Sequence, residues 1–229
     1  MSSTMSSSMR DALATVCTEV VDCRACPRLV AWREQTGRDK RAAFRDEPYW
    51  ARPLPGFGDA RARLVIVGLA PAAHGANRTG RMFTGDRSGD FLFASLYRTG
   101  FASQPTSRHR DDGLTLADCW ITAAVRCAPP ANRPTADERQ RCRPWLEREL
   151  AALPGRVVLA LGGFAWNALA DTLGPVRPRP RFGHGVQEAI GAYTLVGSYH
   201  PSQQNTFTGR LTPDMLDDVI GATRALLDR

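Results

Sequence analysis

Three observations predict an α/β fold for this chain. Apolar, β-branched runs of four to six residues recur along the sequence, helix-like amphipathic stretches separate them, and two of the runs break directly into loops rich in Gly, Pro, Asn and Ser. Alternating strands and helices favour a parallel sheet with both faces covered. The expected architecture is a central, mostly parallel, four-stranded sheet flanked by helices on both faces, an α/β/α sandwich.

Taken in order, residues 10 to 35 carry apolar positions at helical spacing (Leu13, Val16, Val20, Val21), interrupted by Cys23-Arg-Ala-Cys26-Pro27. A polar stretch with Phe44, Tyr49, Trp50 and Pro53-Leu-Pro55 follows, too aromatic for a simple linker. Leu64 to Val67 reads as a buried strand, and Asp90 to Thr99 as an amphipathic helix ended by Gly100. Residues 103 to 113 read as a surface excursion. Trp120 to Val125 is the next strand, leading into a Pro-rich loop at 128 to 134. Thr135-Ala-Asp-Glu138 is a capping box opening a helix to about Leu153. Val157 to Leu161 is a strand, Gly162-Gly163 turns into a helix, and a Pro/Arg loop spans 175 to 185. Tyr193 to Ser198 is the last strand, and a final helix starts at Thr212 or Pro213.

The 229 residues, 43% hydrophobic and 23% charged, suit one ordinary domain, expected at 10–229 after a flexible tail at 1–9. No apolar run approaches the roughly 18 residues of a membrane span. The tail lacks an apolar export core, so the expectation is a cytoplasmic protein; a monomer is expected as well. A formal net charge of +7 points to an anionic partner such as nucleic acid. Nearly all the positive charge is arginine, with Lys40 the lone lysine.

Cys23-x-x-Cys26, Cys127 and Cys142 supply four thiols, the number that a tetrahedral zinc or an iron–sulfur cube requires. Spacing alone leaves both metals open, along with a redox pair and four unlinked thiols. Cys17 and Cys119 read as packing residues.

The chemistry concentrates in two strand-to-loop junctions. One runs Gly68-Leu69-Ala70-Pro-Ala-Ala-His-Gly-Ala-Asn-Arg78-Thr-Gly-Arg81-Met-Phe83-Thr-Gly-Asp86. The other runs Tyr199-His200-Pro201-Ser202-Gln203-Gln204-Asn205. Loops leaving the carboxyl ends of parallel strands are where open α/β sheets bind ligands, so the two are expected to converge. Together with the cysteine pattern and Cys127-Ala-Pro-Pro-Ala-Asn-Arg-Pro-Thr, they resemble the uracil-DNA glycosylase superfamily, specifically its type-5 branch, over nearly the whole chain.

The resemblance implies an enzyme that flips uracil, and other deaminated bases such as hypoxanthine, out of DNA and hydrolyses the N-glycosidic bond in base excision repair. It implies a [4Fe–4S] cluster on Cys23, Cys26, Cys127 and Cys142, structural in role because the hydrolysis transfers no electrons. It assigns His200 to the O2 of the departing base and Phe83 to stacking on that base, with the everted base held between the two rings. Gly68, Leu69 and Ala70 would form the pocket floor. Many relatives carry a water-activating Asp or Asn where this chain has Ala70, and a uracil-reading Asn where it has Ala123. Both losses are typical of the type-5 branch. Asp86, alternatively a helix cap, and Asn132 are expected to compensate, the first by orienting water and the second by touching base or water. With few polar contacts the pocket should accept several bases. Ser202, Gln203, Gln204 and Asn205, with the wedge at the two glutamines, and Arg78, Arg81, Arg87 and Arg210 are the expected DNA contacts.

A sole lysine far from both junctions argues against a Schiff-base lyase. Two other readings stay open: a non-catalytic damaged-DNA-binding protein of the same fold, and a zinc-dependent hydrolase.

Overall fold

The computed structural model describes residues 7–228. Strands β1 (Phe57–Gly58), β2 (Leu64–Gly68), β3 (Cys119–Ala123), β4 (Val157–Leu161), β5 (Gln187–Ile190) and β6 (Tyr193–Ser198) form one sheet in the order β1-β3-β2-β4-β6-β5. The four central strands are parallel, as expected, and the edge strands β1 and β5 pair antiparallel to them. Sequence reading missed both edges. β1 has only two residues, one a glycine. β5 buries one residue of four, so no apolar run announces it.

Every residue of β2, β3 and β4 is buried, because helices cover both faces. The helices are α1 (Ser7–Val20), α2 (Pro27–Asp39), α3 (Ala76–Thr79), α4 (Arg87–Arg98), α5 (Ala136–Ala152), α6 (Gly163–Leu173), α7 (Gln203–Phe207) and α8 (Pro213–Leu227). Alternation along the strands splits the core in two. Leu64, Ile66, Ile121, Leu159 and Val196 pack with the apolar sides of α4 and α8. Val65, Val67, Val158, Ala160 and Leu195 pack with those of α1, α5 and α6. Of the expected tail, residues 1–6 lie outside the described residues, and Ser7, Ser8 and Met9 open α1. The capping box at Thr135 and Glu138 is present. Helix α4 starts three residues earlier than expected, capped by Asp86, whose carboxylate accepts from Gly89 N. Helices α3 and α7 are single turns within the two motif loops, too short for periodicity to reveal.

The register Gly68↔Ala123 and Leu161↔Ser198 aligns the carboxyl ends of all four parallel strands along one edge. Both motif loops leave from that edge. Among the described residues no helix is long and apolar enough to cross a membrane.

Candidate active site

The two loops meet. The rings of Phe83 and His200 lie 5.9 Å apart between centroids, tilted by 37°. A planar base inserted between them would hold the rings about 7 Å apart. They are therefore direct neighbours with no room between them for a base, Phe83 buried and His200 half-buried, so the expected sandwich is not formed in this structure.

Phe83 owes its place to glycines. A Cβ on Gly68 would come within 2.8 Å of the Phe83 ring, so only glycine lets the aromatic lie on the end of β2. A Cβ on Gly89 would overlap the Phe83 carbonyl. Phe83 itself has φ +52, a left-handed backbone that is an outlier for a bulky residue and marks stored strain.

His200 follows β6 and is fixed on three sides. A Cβ on Gly162 would sit 3.2 Å from His200 Cβ. The His200 carbonyl accepts from Asn205 Nδ2 at 2.8 Å, and Ser202 caps α7. Asn205, expected on phosphate, thus spends its amide on the shape of the loop. Burial pushes the His200 imidazole down to about 4, so it is neutral near pH 7. His200, Leu69, Tyr199, Asn205 and Arg210 line a cleft of about 230 Å³.

Asp86 lines a separate cleft of about 1090 Å³ with Trp50, Arg87 and Arg110. Its cap bond to Gly89 N is 3.0 Å, and a Cβ on Gly75 would overlap its other carboxylate oxygen. Burial raises its carboxyl, against the Gly89 and Ser88 backbone bonds that lower it. Asn132 stands exposed at φ +55 on the loop after β3, next to Ala131 at φ +51, and lines neither cleft.

Two expected DNA-contacting arginines turn inward. Arg78 is buried, donates to the His74 carbonyl at 2.9 Å and the Gly85 carbonyl at 3.0 Å, pairs with Glu47, and covers the Phe44 ring at 3.9 Å. Arg81 is buried against Asp112, Ser107, Thr84 and the Arg110 carbonyl. Burial disfavours the Asp112 carboxylate, yet Arg81 and two backbone N–H groups outweigh it and hold Asp112 down to about 2. These guanidinium groups brace the first loop from within and leave little for a phosphate. Arg87 and Arg210 are exposed, as are Gln203 and Gln204. Phe207, which sequence reading passed over, is 68% exposed at the end of α7 beneath the Arg87 guanidinium.

Cys23, Cys26, Cys127 and Cys142 line one narrow cleft with Leu29 and Trp145. Arg33, buried, donates to Cys127 Sγ at 2.9 Å, and Arg126 N donates to Cys142 Sγ at 3.3 Å. As bare thiols, burial pushes Cys127 up to about 11 and Cys142 up to about 12. Among the described residues no three His, Cys, Asp or Glu side chains are already gathered around a single ion position. The donor set itself suits a thiolate-bound metal group, since N–H donors aimed at sulfur favour the charged ligand.

The cysteine cleft and the base-side loop share a wall. Ala124 N donates to the Gly68 carbonyl and Val125 N to the Leu69 carbonyl, and Ala70 packs against the cysteines. Behind them Arg126 and Glu149 form a fully buried, bidentate pair that also takes Thr122 Oγ1 and Gly56 N. No sequence signal distinguished that pair from surface charge.

Comparison with known proteins agrees with this geometry. Residues 55–223 match the uracil DNA glycosylase superfamily. The chain is 58% identical over 208 residues to a protein named type-5 uracil-DNA glycosylase from Mycobacterium bovis, covering 89% of this chain and 78% of that protein. Proteins of the same name are 52% identical in Thermus thermophilus (89% of this chain, 93% of that protein) and 47% identical in Pyrobaculum aerophilum (88% and 87%). With two matching motif loops joined at one sheet edge and relatives this similar along most of its length, the chain belongs to the uracil-DNA glycosylase superfamily, among the type-5 uracil-DNA glycosylases.

Proposed function

We propose that this protein removes uracil, and other deaminated bases such as hypoxanthine, from DNA by hydrolysing the N-glycosidic bond. The observation that carries the reading is the Phe83–His200 corner, with a neutral imidazole, at the carboxyl edge of the sheet. A base cannot be attacked inside a duplex, so the nucleotide must swing out into the pocket. There it would stack on the Phe83 ring, which must first be uncovered because it is buried in the structure. As the glycosidic bond breaks, negative charge grows on the base, and a neutral His200 N–H donates to its O2. A donor already desolvated and fixed by Gly162 and Asn205 needs no reorganisation at that moment.

Asp86 is the residue we assign to orienting the attacking water, since it lines the large cleft beside the first loop and its raised carboxyl is a better base. Asn132, exposed at its loop tip, is assigned to contact with the extruded base or that water once DNA docks. Ala123 ends β3 with no polar group to offer, which supports a permissive pocket. Gln203, Gln204, Arg87 and Arg210 are exposed and are assigned to the DNA backbone with Ser202, the half-buried cap of α7, beside them, and Phe207 is the apolar wedge that would fill the vacated stack.

The four cysteines are assigned a [4Fe–4S] cluster. When bound it supplies cross-linking of α2, the loop after β3 and α5, and no chemistry on the sugar. Arg33 and Arg126 N would hold its sulfur ligands by hydrogen bonds. Iron and sulfide analysis of the purified protein tests this, and stoichiometric zinc instead would refute it. None of the six cysteines forms a disulfide, which fits a reducing compartment, and on that ground we place the protein in the cytoplasm.

The deciding test is product release from duplexes holding uracil, hypoxanthine or no lesion. Free uracil and free hypoxanthine are expected. Tight binding without base release would favour a damage-binding role instead.

A further inference from the structure

We infer that His184 is a positioning residue for His200, holding the last peptide N–H before it. The inference rests on the reading of His200 above. Strand pairing stops at Ser198, where Gly162 N closes the ladder by donating to the Ser198 carbonyl. The next peptide N–H, that of Tyr199, lies beyond the ladder and donates to His184 Nδ1 at 3.2 Å. The two side chains also stack, with ring centroids 5.0 Å apart and planes 23° from parallel.

His184 reaches this spot because residues 183–186 run close along β6. Gly185 N donates to the Gly197 carbonyl at 2.8 Å and Gly197 N to the Val186 carbonyl at 2.9 Å. A side chain on Gly197 would collide with the Gly183 carbonyl. The Met215 backbone of α8 faces the other side of the His184 ring and favours its charged form. Accepting at Nδ1 requires the neutral ring with its proton on Nε2. Burial favours that form by lowering the imidazole, against the Met215 backbone and Asp218, which raise it. His200 is thus held before its own residue by His184, beside it by Gly162 and after it by Asn205.

Two variants separate acceptor from ring. His184→Phe keeps a ring on Tyr199 and removes the acceptor, whereas Asn Oδ1 in His184→Asn replaces Nδ1. In single-turnover excision from uracil duplex, His184→Phe is expected to lower the maximal rate about tenfold with the half-saturating DNA concentration within about twofold. His184→Asn is expected to recover most of that loss. An unchanged rate in His184→Phe, a change confined to DNA affinity, or an Asn variant as slow as the Phe variant overturns the assignment. Amide hydrogen exchange at Tyr199 in the wild-type protein decides even if His184→Phe does not fold. Slow exchange supports the bond, and exchange as fast as at exposed loops refutes it. That readout also distinguishes failure here from failure of the proposed activity, because it requires no turnover.

Discussion

The two motif loops do opposite work with similar residues. The first, from Leu69 to Asp86, turns its arginines inward. Arg78 and Arg81 are spent on backbone carbonyls, Glu47 and Asp112, and Phe83 is pressed onto Gly68 in a strained backbone. The second, from Tyr199 to Arg210, turns outward. It is held by a few bonds (His184 to Tyr199 N, Asn205 to the His200 carbonyl) and exposes Gln203, Gln204, Phe207 and Arg210. One loop is an anvil largely buried in the core, and the other is exposed and is the surface we propose for the duplex. Sequence position near a catalytic motif therefore says little about whether an arginine touches DNA.

The sharpest way to break this contrast is Arg81→Ala. Removing one partner of a buried pair leaves Asp112 uncompensated, so urea unfolding should show a loss of about 3–5 kcal/mol. A variant as stable as wild type but weak on DNA would return Arg81 to the interface.

His200→Ala comes next, with single-turnover excision expected to fall 10²–10³-fold, as for the loss of one preorganised donor. Its stability should also respond to pH. The unfolded imidazole protonates near 6.5 and the folded one near 4, so in that window the unfolded state binds the extra proton. Wild-type stability should fall as pH drops from 6.5 to 4, and His200→Ala should flatten that slope. Equal slopes in both proteins would show that His200 is not desolvated.

The smallest effects belong to the outer loop. Phe207→Ala should weaken duplex binding by about tenfold, the scale of one lost stacking contact. Arg210→Ala should leave unfolding within about 0.5 kcal/mol of wild type and reduce the salt slope of DNA binding by about 1. Strong destabilisation by Arg210→Ala would erase the distinction between the loops.

The four parallel strands were legible because β2 and β4 are continuous apolar runs and β3 and β6 carry short apolar, β-branched stretches, as a doubly covered sheet requires. The meeting of the two motif loops was legible through Gly68, Phe83 and His200, which the structure brings together at one sheet edge. Other features were hidden for physical reasons. Phe57–Gly58 is too short for a period, and Gln187–Ile190 faces water along most of its length. Burial of Arg78 and Arg81 depends on carbonyls and carboxylates brought from residues 47, 74, 85, 110 and 112, which no local pattern displays. Asp86 proved to be a helix cap, and the sequence already allowed that alongside a role with water.

Phe83 has a consequence for anyone seeking a more heat-resistant version of this protein. A large aromatic at φ +52 costs on the order of 1–3 kcal/mol relative to a relaxed backbone. Glycine there would ease the main chain but empty a buried core site, a loss of about 3–5 kcal/mol that outweighs the relief, and would remove the ring proposed to stack on the base. Durability and the proposed base contact therefore depend on the same ring, and directed evolution for melting temperature alone should be expected to keep Phe83 and relax the backbone around it.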